Sequence, residues 1–499
     1  MQPHTTDTSS TTAVWIGAAL ASALGATILF DAWPGINWGI WVALASGAVI
    51  FARGRSGKPV DMPVFILLAW ATVLAFGLAA TDSEFVQFLI IVSDAMLLGL
   101  AVIVTGTPSW SSLSASSLPT IPFLAPLRVW NASAREVGAF PRRFSSPRAR
   151  SIVRGLLLTL PILLVLIALL RDADPVIAWS VDRITDLLPR SSILTRLAFF
   201  LFLLSLTLGA NSISARQAEA QLPAMPKVTS RTIGVTEQKI VLVGVAVVLW
   251  IFVLLQVSYL FHSPPSAVGS GVTFADYARQ GFAELSFAVT IVGGIVLGLE
   301  ATRPADAGQE ARRSLVMLEA ALLIALELML VSAFRRVILY EQAYGFTAAR
   351  LFAQAYMVVM AAALVVLWLE LRKGSISVAF ARRVAVIALA VFTVWVYWNY
   401  EAWIVNRNID RSHATGKFDS EYATRLSRDA VPTLMARRRE LPIAEQRKID
   451  SWLGCTPSPG DRRWFEWNRS VAATRRAMSG LSRVPCPDSS RYNRRSRDD

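Results

Sequence analysis

Three carboxylates stand inside otherwise apolar runs: Asp94 in IIVSDAMLLG, and Glu319 and Glu327 in LEAALLIALELML. Glu284 and Arg196 each lie about one turn inside the edge of another such run, and Arg335, Arg336, Glu341 and Arg350 gather at a further boundary. An ionisable group within hydrocarbon costs about 2.5–3.5 kcal/mol on insertion scales, so each is a candidate for an ion or substrate site. The competing reading is that they pair between helices and fix the packing of a bundle. Asp94, Arg196, Glu284, Glu327, Arg335, Arg336, Glu341 and Arg350 therefore form the candidate polar membrane site.

Other chemistry finds little support. His4, His262 and His413 are scattered, and no His, Cys or carboxylate group has the spacing of metal ligands. No phosphate loop, dinucleotide fingerprint, nucleophile elbow or zinc-protease motif occurs. No cofactor and no catalytic residue is expected. Asp172-Ala173-Asp174-Pro175 could be a metal-binding Asp-x-Asp of a glycosyl transfer, but Asp174 before Pro175 also reads as a helix N-cap. A short interfacial helix over 176–188 follows from that second reading.

The elements that must position these residues are membrane helices. Of 499 residues, 54% are hydrophobic and 17% charged, and the mean hydropathy is +0.48, whereas a soluble chain carries about a quarter charged residues. The net charge of +14 does not indicate nucleic acid, because the basic residues fall between long apolar runs. A bilayer core needs roughly 20 apolar residues as helix, and backbone polar groups in lipid must be satisfied within the segment. Eleven stretches qualify: 13–30, 36–52, 62–80, 85–105, 152–170, 193–213, 240–261, 280–300, 314–334, 348–371 and 383–405. The fold expected is all-α, a polytopic transmembrane bundle of about 11 spans with a small extracytoplasmic C-terminal helical module.

One set of connections between these spans holds twenty-one Lys and Arg and the alternate set seven. The bias puts the N-terminus in the cytoplasm and the C-terminal tail outside. No Lys or Arg precedes the first span, so a basic, cleaved signal peptide is not indicated. Cys455 and Cys486 both lie in the tail. In an oxidising compartment they could form a disulfide worth roughly 3–4 kcal/mol in the chain-entropy model, while two unpaired thiols remain the alternative.

Composition divides the chain into a four-span block (1–106), a basic Ser- and Pro-rich cytoplasmic linker (107–151), a seven-span core (152–405), an extracytoplasmic helical module (406–487) and a disordered tail (488–499). Within the module, Phe418–Leu426, Val431–Arg439 and Ile443–Leu453 show helical spacing, and Asp461 would cap a further helix carrying Trp464 and Trp467. Gly345 fits the residue that ends a helix with positive φ, and Thr347 a cap of the next. Tyr340 and Tyr344, then Tyr397, Trp398, Tyr400 and Trp403, read as aromatic belts. Gly17-xxx-Ala21-xxx-Gly25 and Gly294-xxx-Gly298 read as close-packing stripes.

Several longer strings carry a resemblance. These are Tyr277 to Leu285 (YARQGFAEL), Leu339 to Thr347 (LYEQAYGFT) followed by Arg350-Leu351, Asn408-Ile409-Asp410, Leu426 to Pro432 (LSRDAVP) and Trp464 to Asn468 (WFEWN). Together, over roughly residues 150–470, they resemble a bacterial multipass membrane family designated only as a domain of unknown function, the four-one-five-three / four-one-seven-three group. That family more often has Asn-Pro-Asp as its third motif, and Ile409 departs from it. The resemblance implies an inner-membrane location and supplies no reaction or substrate.

Three functions compete. The first is a non-enzymatic envelope scaffold or sensor-like protein that presents its module outside, with membrane lipids and an envelope protein as partners through residues 406–487. The second is a secondary transporter using the outer-half charges, against which no broken-helix pair or internal repeat is visible. The third is a membrane-embedded transferase on a lipid-linked substrate, against which the first outer loop is very short and carries one acid, Asp31.

Overall fold

The computed structural model describes residues 8–105, 121–139, 183, 193–216, 233–261, 282–304, 308–373, 378–456 and 458–479. Among them there are sixteen α-helices and no strand, and ten helices are long and apolar enough to cross a membrane. The expected span at 152–170, the Asp172–Leu188 segment apart from Arg183, Cys486 and the tail beyond 487 lie outside the described residues.

The described residues divide into two compact units, one within 1–224 together with 458–479 and the other within 225–456. The C-terminal portion is thus shared between two bodies, where composition alone drew a single module over 406–487.

In the first unit α1 (Thr8–Leu29), α2 (Ile36–Arg55), α3 (Met62–Phe76) and α4 (Glu84–Thr105) pack in sequence, α1 and α2 also meeting a later helix, α6 (Ile193–Arg216). The small-residue stripe of α1 is used: Gly17 backs onto Ala48 and Asn211, and Gly25 onto Trp41 and Leu203. The expected linker at 107–151 contains a packed helix, α5 (Ile121–Ala139). Its Val129 and Ala132 are buried with Val102 and Ile213. A Cβ on Gly209 of α6 would lie 1.9 Å from the Val129 carbonyl oxygen, so that crossing tolerates only glycine. Glu136 then accepts from Ser212 and, at 2.8 Å, from Arg216. At the same end of this unit, buried Arg53 donates to the Pro59, Thr105 and Ser214 carbonyls and pairs with Asp61 at 2.9 Å.

The opposite end, made by the α1–α2 and α3–α4 turns, is covered by residues 458–479. Trp464–Glu466 form one 3₁₀ turn, not the helix expected to start at Asp461. The helix begins later, as α16 (Arg469–Met478), because Asn468 takes the cap: its Oδ1 accepts from Ser470 and Val471 N–H. The other end of that carboxamide donates to the Leu78 and Thr81 carbonyls at 2.8 and 2.9 Å. Ile36 N–H donates to Trp467 O, Trp33 N–H to Glu466 Oε1, and Arg463 to the Asp31 carbonyl.

The second unit is built on α9 (Gln309–Tyr344), which packs against α7 (Val235–Phe261), α8 (Phe282–Ala301) and α10 (Ala348–Lys373), with α11 (Val378–Tyr397) beside α10. Leu322, Leu326, Met329 and Ala333 of α9 share one core with Leu249, Val289, Val292 and Leu364. Thirty-six residues rise about 54 Å, well past a hydrocarbon core of about 30 Å. Gly294 and Gly298 meet nothing within 4 Å, so the second small-residue stripe has no packing partner among the described residues.

The last expected span, 383–405, is two helices. α11 stops at Tyr397, and α12 (Tyr400–Thr415) starts after Asn399, whose Oδ1 accepts from Ala402 N–H. Short helices α13 (Ser420–Arg425), α14 (Val431–Arg437) and α15 (Ile443–Cys455) complete this unit.

Candidate functional site

The candidate charges do not assemble into one site. Asp94 and Arg196 belong to the first unit and the others to the second. Arg196 lies over the Phe30 ring at 5.6 Å, and Asp94 accepts from Trp38 Nε1 at 2.8 Å. Glu284 and Arg335 are exposed, Arg336 is half-exposed, and Glu327 leaves a buried Oε1 without a hydrogen-bond partner. Fourteen residues of helix separate Glu327 from Glu341, roughly 21 Å. Other buried carboxylates are paired: Glu319 with Arg303 at 2.6 Å, and Glu370 with Arg383. They join neighbouring elements, as interhelical glue does.

Glu341 and Arg350 do meet, at the α9–α10 turn, but not as an ion pair. Glu341 is buried, accepts from Gln354 Nε2 at 2.9 Å, and leaves Oε1 without a hydrogen-bond partner. Arg350 donates to the Gly345 carbonyl and lays its guanidinium 4.1 Å from the Tyr340 ring centre. The rings of Tyr340 and Tyr344, one turn apart, meet at a tilt with centres 4.8 Å apart. Gly345 has φ +90° and ψ 172°, a region open essentially only to glycine, rather than the left-handed helical well.

The turn is held from α12. Asn408 Oδ1 accepts from Phe346 N–H at 2.7 Å while its Nδ2 donates to Phe346 O at 2.9 Å, so one side chain satisfies a whole backbone residue. Arg411 donates to the Ala343 carbonyl at 3.2 Å, and Tyr422 OH accepts from the first N–H of α10 at Ala348, 2.7 Å away, which has no partner within the helix. Burial pushes the Tyr422 hydroxyl above its ordinary pKa. The Phe346 and Trp403 rings meet edge to face at 5.0 Å.

A second layer fixes α12 itself. Glu401 Oε2 accepts from Ser427 N–H at 2.7 Å and from its hydroxyl at 2.6 Å, and Oε1 from Tyr400 OH. Burial pushes the Glu401 carboxyl up, against these donors. Asn399 Nδ2 donates to the Asp429 carbonyl, and Arg437 reaches Asp410 and Asn406. The strings Leu339–Arg350, Asn408–Asp410 and Leu426–Pro432, far apart in sequence, are thus one contact network. Charge alone pointed to Glu341 and Arg350. Asn408 stood in a quoted string, while Gln354, Glu401, Arg411 and Tyr422 gave no signal by burial cost or motif.

Beside α12, Arg411, Lys417, Asp419, Glu421, Glu445 and Lys448 line an open polar groove of about 570 Å³. No group of three or more His, Cys, Asp or Glu able to hold a metal occurs among the described residues.

These features define an all-α, multipass integral membrane protein whose polar helices are tied to an interhelical turn. The chain belongs to the family described as "Domain of unknown function (DUF4153)", whose family model matches residues 64–436. The match begins in α3 and ends in α14. It takes in helices before residue 150, which the resembling strings did not cover, and it stops short of Trp464–Asn468. No curated protein and no solved structure matches the chain.

Proposed function

We propose that this protein is a non-enzymatic envelope scaffold or sensor-like protein of the bacterial inner membrane, with its N-terminus in the cytoplasm and its α12–α15 module facing the exterior. The observation that carries this reading is the Asn408–Phe346 pairing. Together with Tyr422 on Ala348, it makes the polar helices a rigid extension of the α9–α10 turn, as a module that transmits or resists force requires. The polar groove beside Arg411 supplies a surface for an envelope protein partner. The paired state of Glu319 and Glu370 favours structural charges over a transport path.

The test combines a phosphatase fused to the C-terminus with a photocrosslinking residue at Lys448. An active exterior phosphatase and a discrete protein adduct, lost in Asn408→Ala at equal membrane abundance, support the reading. Substrate-coupled flux in vesicles without any adduct replaces it with transport.

A further inference from the structure

The first unit encloses a cavity of about 710 Å³ between α1, α2, α4, α5 and α6, large enough for a drug-sized molecule. Its lining is overwhelmingly apolar, with Phe199, Phe202 and Leu203 among the walls. Against that background a few polar atoms are conspicuous. Asp94 is fully buried about 15 Å along α4 from Glu84, near the middle of a membrane-length helix. Trp38 Nε1 satisfies one of its oxygens, and Oδ1 has no partner. Among the described residues no Lys or Arg pairs with it. Trp41, whose ring lies 5.3 Å from that of Trp38, also lines the cavity, as does Asn211, which leaves its Oδ1 buried and without a partner.

A carboxylate with a spare lone pair in such an apolar space is complementary to a cation. The acid supplies charge, and its free oxygen accepts an N–H. The rest of the cavity suits an alkyl body. Ile91, Val92 and Met96 line it while exposing between 38% and 45% of their own surface, so it opens sideways on the apolar flank of α4, where a lipid-dissolved molecule would enter.

We propose that this cavity is a binding site for a lipophilic monocation, a long-chain primary ammonium, with its head on Asp94 Oδ1 and its chain along Phe199 and Phe202. This ligand would make the buried aspartate a receptor group, independent of the module in the second unit.

The test uses full-length protein in nanodiscs with dodecylamine carrying a diazirine on its chain. After photolysis, labelled peptides are mapped by mass spectrometry, with unlabelled dodecylamine, dodecanol and laurate as competitors. Labelling of α2, α4 and α6 that dodecylamine removes and the other two leave, and that falls at least about ten-fold in Asp94→Asn, supports the site. Equal competition by dodecanol, or undiminished labelling of a folded Asp94→Asn protein, makes the cavity a plain lipid-tail pocket and overturns it. Should Asp94→Asn fail to fold, Ala210→Phe fills the cavity with Asp94 intact. Persistent labelling there also overturns the proposal.

Discussion

Asn408 and Phe346 are 62 residues apart, yet the Asn408 carboxamide closes a two-bond ring with the Phe346 main chain, at 2.7 and 2.9 Å. The pairing mimics one rung of a sheet in a protein without strands among its described residues. It satisfies a donor and an acceptor that a non-helical turn would otherwise leave bare.

Replacing Asn408 with Ala removes both bonds and should cost about 1–3 kcal/mol. Asn408→Asp keeps the acceptor, loses the donor and should fall between. Hydrogen exchange of residues 343–351 and 400–415 reads the effect, with protection dropping in both segments and unchanged in α1–α4.

Gly345→Ala should be destabilising by about 1–3 kcal/mol on backbone grounds alone. An added Cβ would also sit 2.7 Å from Asn408 Oδ1. The cost of Gly345→Ala should therefore be smaller in an Asn408→Ala background than in the wild type. Thermal unfolding of the four proteins measures that coupling, and strict additivity would show that the clash is absent.

Arg53 is 2% exposed and bonds three carbonyls and Asp61, so Arg53→Met should lower stability by about 3–5 kcal/mol by stranding its partners. Arg53→Lys should restore little, because a single ammonium cannot reproduce the guanidinium fork. Detergent-solubilised melting curves of the two variants test both statements.

Acid should release residues 458–479 before the rest of the first unit. Burial alone would raise the Glu466 carboxyl, but hydrogen bonds from the Arg463 side chain and backbone, with those from Trp33, hold it below its ordinary value. A carboxylate depressed in the folded state stabilises above its unfolded pKa, and that stabilisation is lost as pH falls through the folded value. Protease cleavage after Arg469 or Arg475 should rise over that acid range in the wild type. In Glu466→Gln it should already be elevated at neutral pH and change less with acid.

How far the fold could be read from the residues varied with the physics involved. Membrane helices announce themselves by length and apolarity, so α1–α4, α6–α8 and α10 fell near their expected limits, while α9 runs ten residues past its expected end at 334. The break at Trp398-Asn399 did not, because its aromatic neighbours look the same on a continuous helix and only Asn399 capping α12 splits it. Helix α5 was hidden by the Ser- and Pro-rich composition before it. Glu341 and Arg350 were legible as costly charges, but their partners are Gln354, the Gly345 carbonyl and the Tyr340 ring, all chosen by tertiary contact. Asn468 displaced Asp461 as a helix cap because its other end is anchored on the α3–α4 turn.

Because Asn468 and Glu466 seal turns that were synthesised some four hundred residues earlier, the opening four-helix block cannot reach its finished state until residues 458–479 have been made. Until the last stretch emerges and crosses to the same face, the Leu78 and Thr81 carbonyls lack their final donors. A chain cut before residue 458 would leave the Asp31, Leu78 and Thr81 carbonyls of that block without these donors.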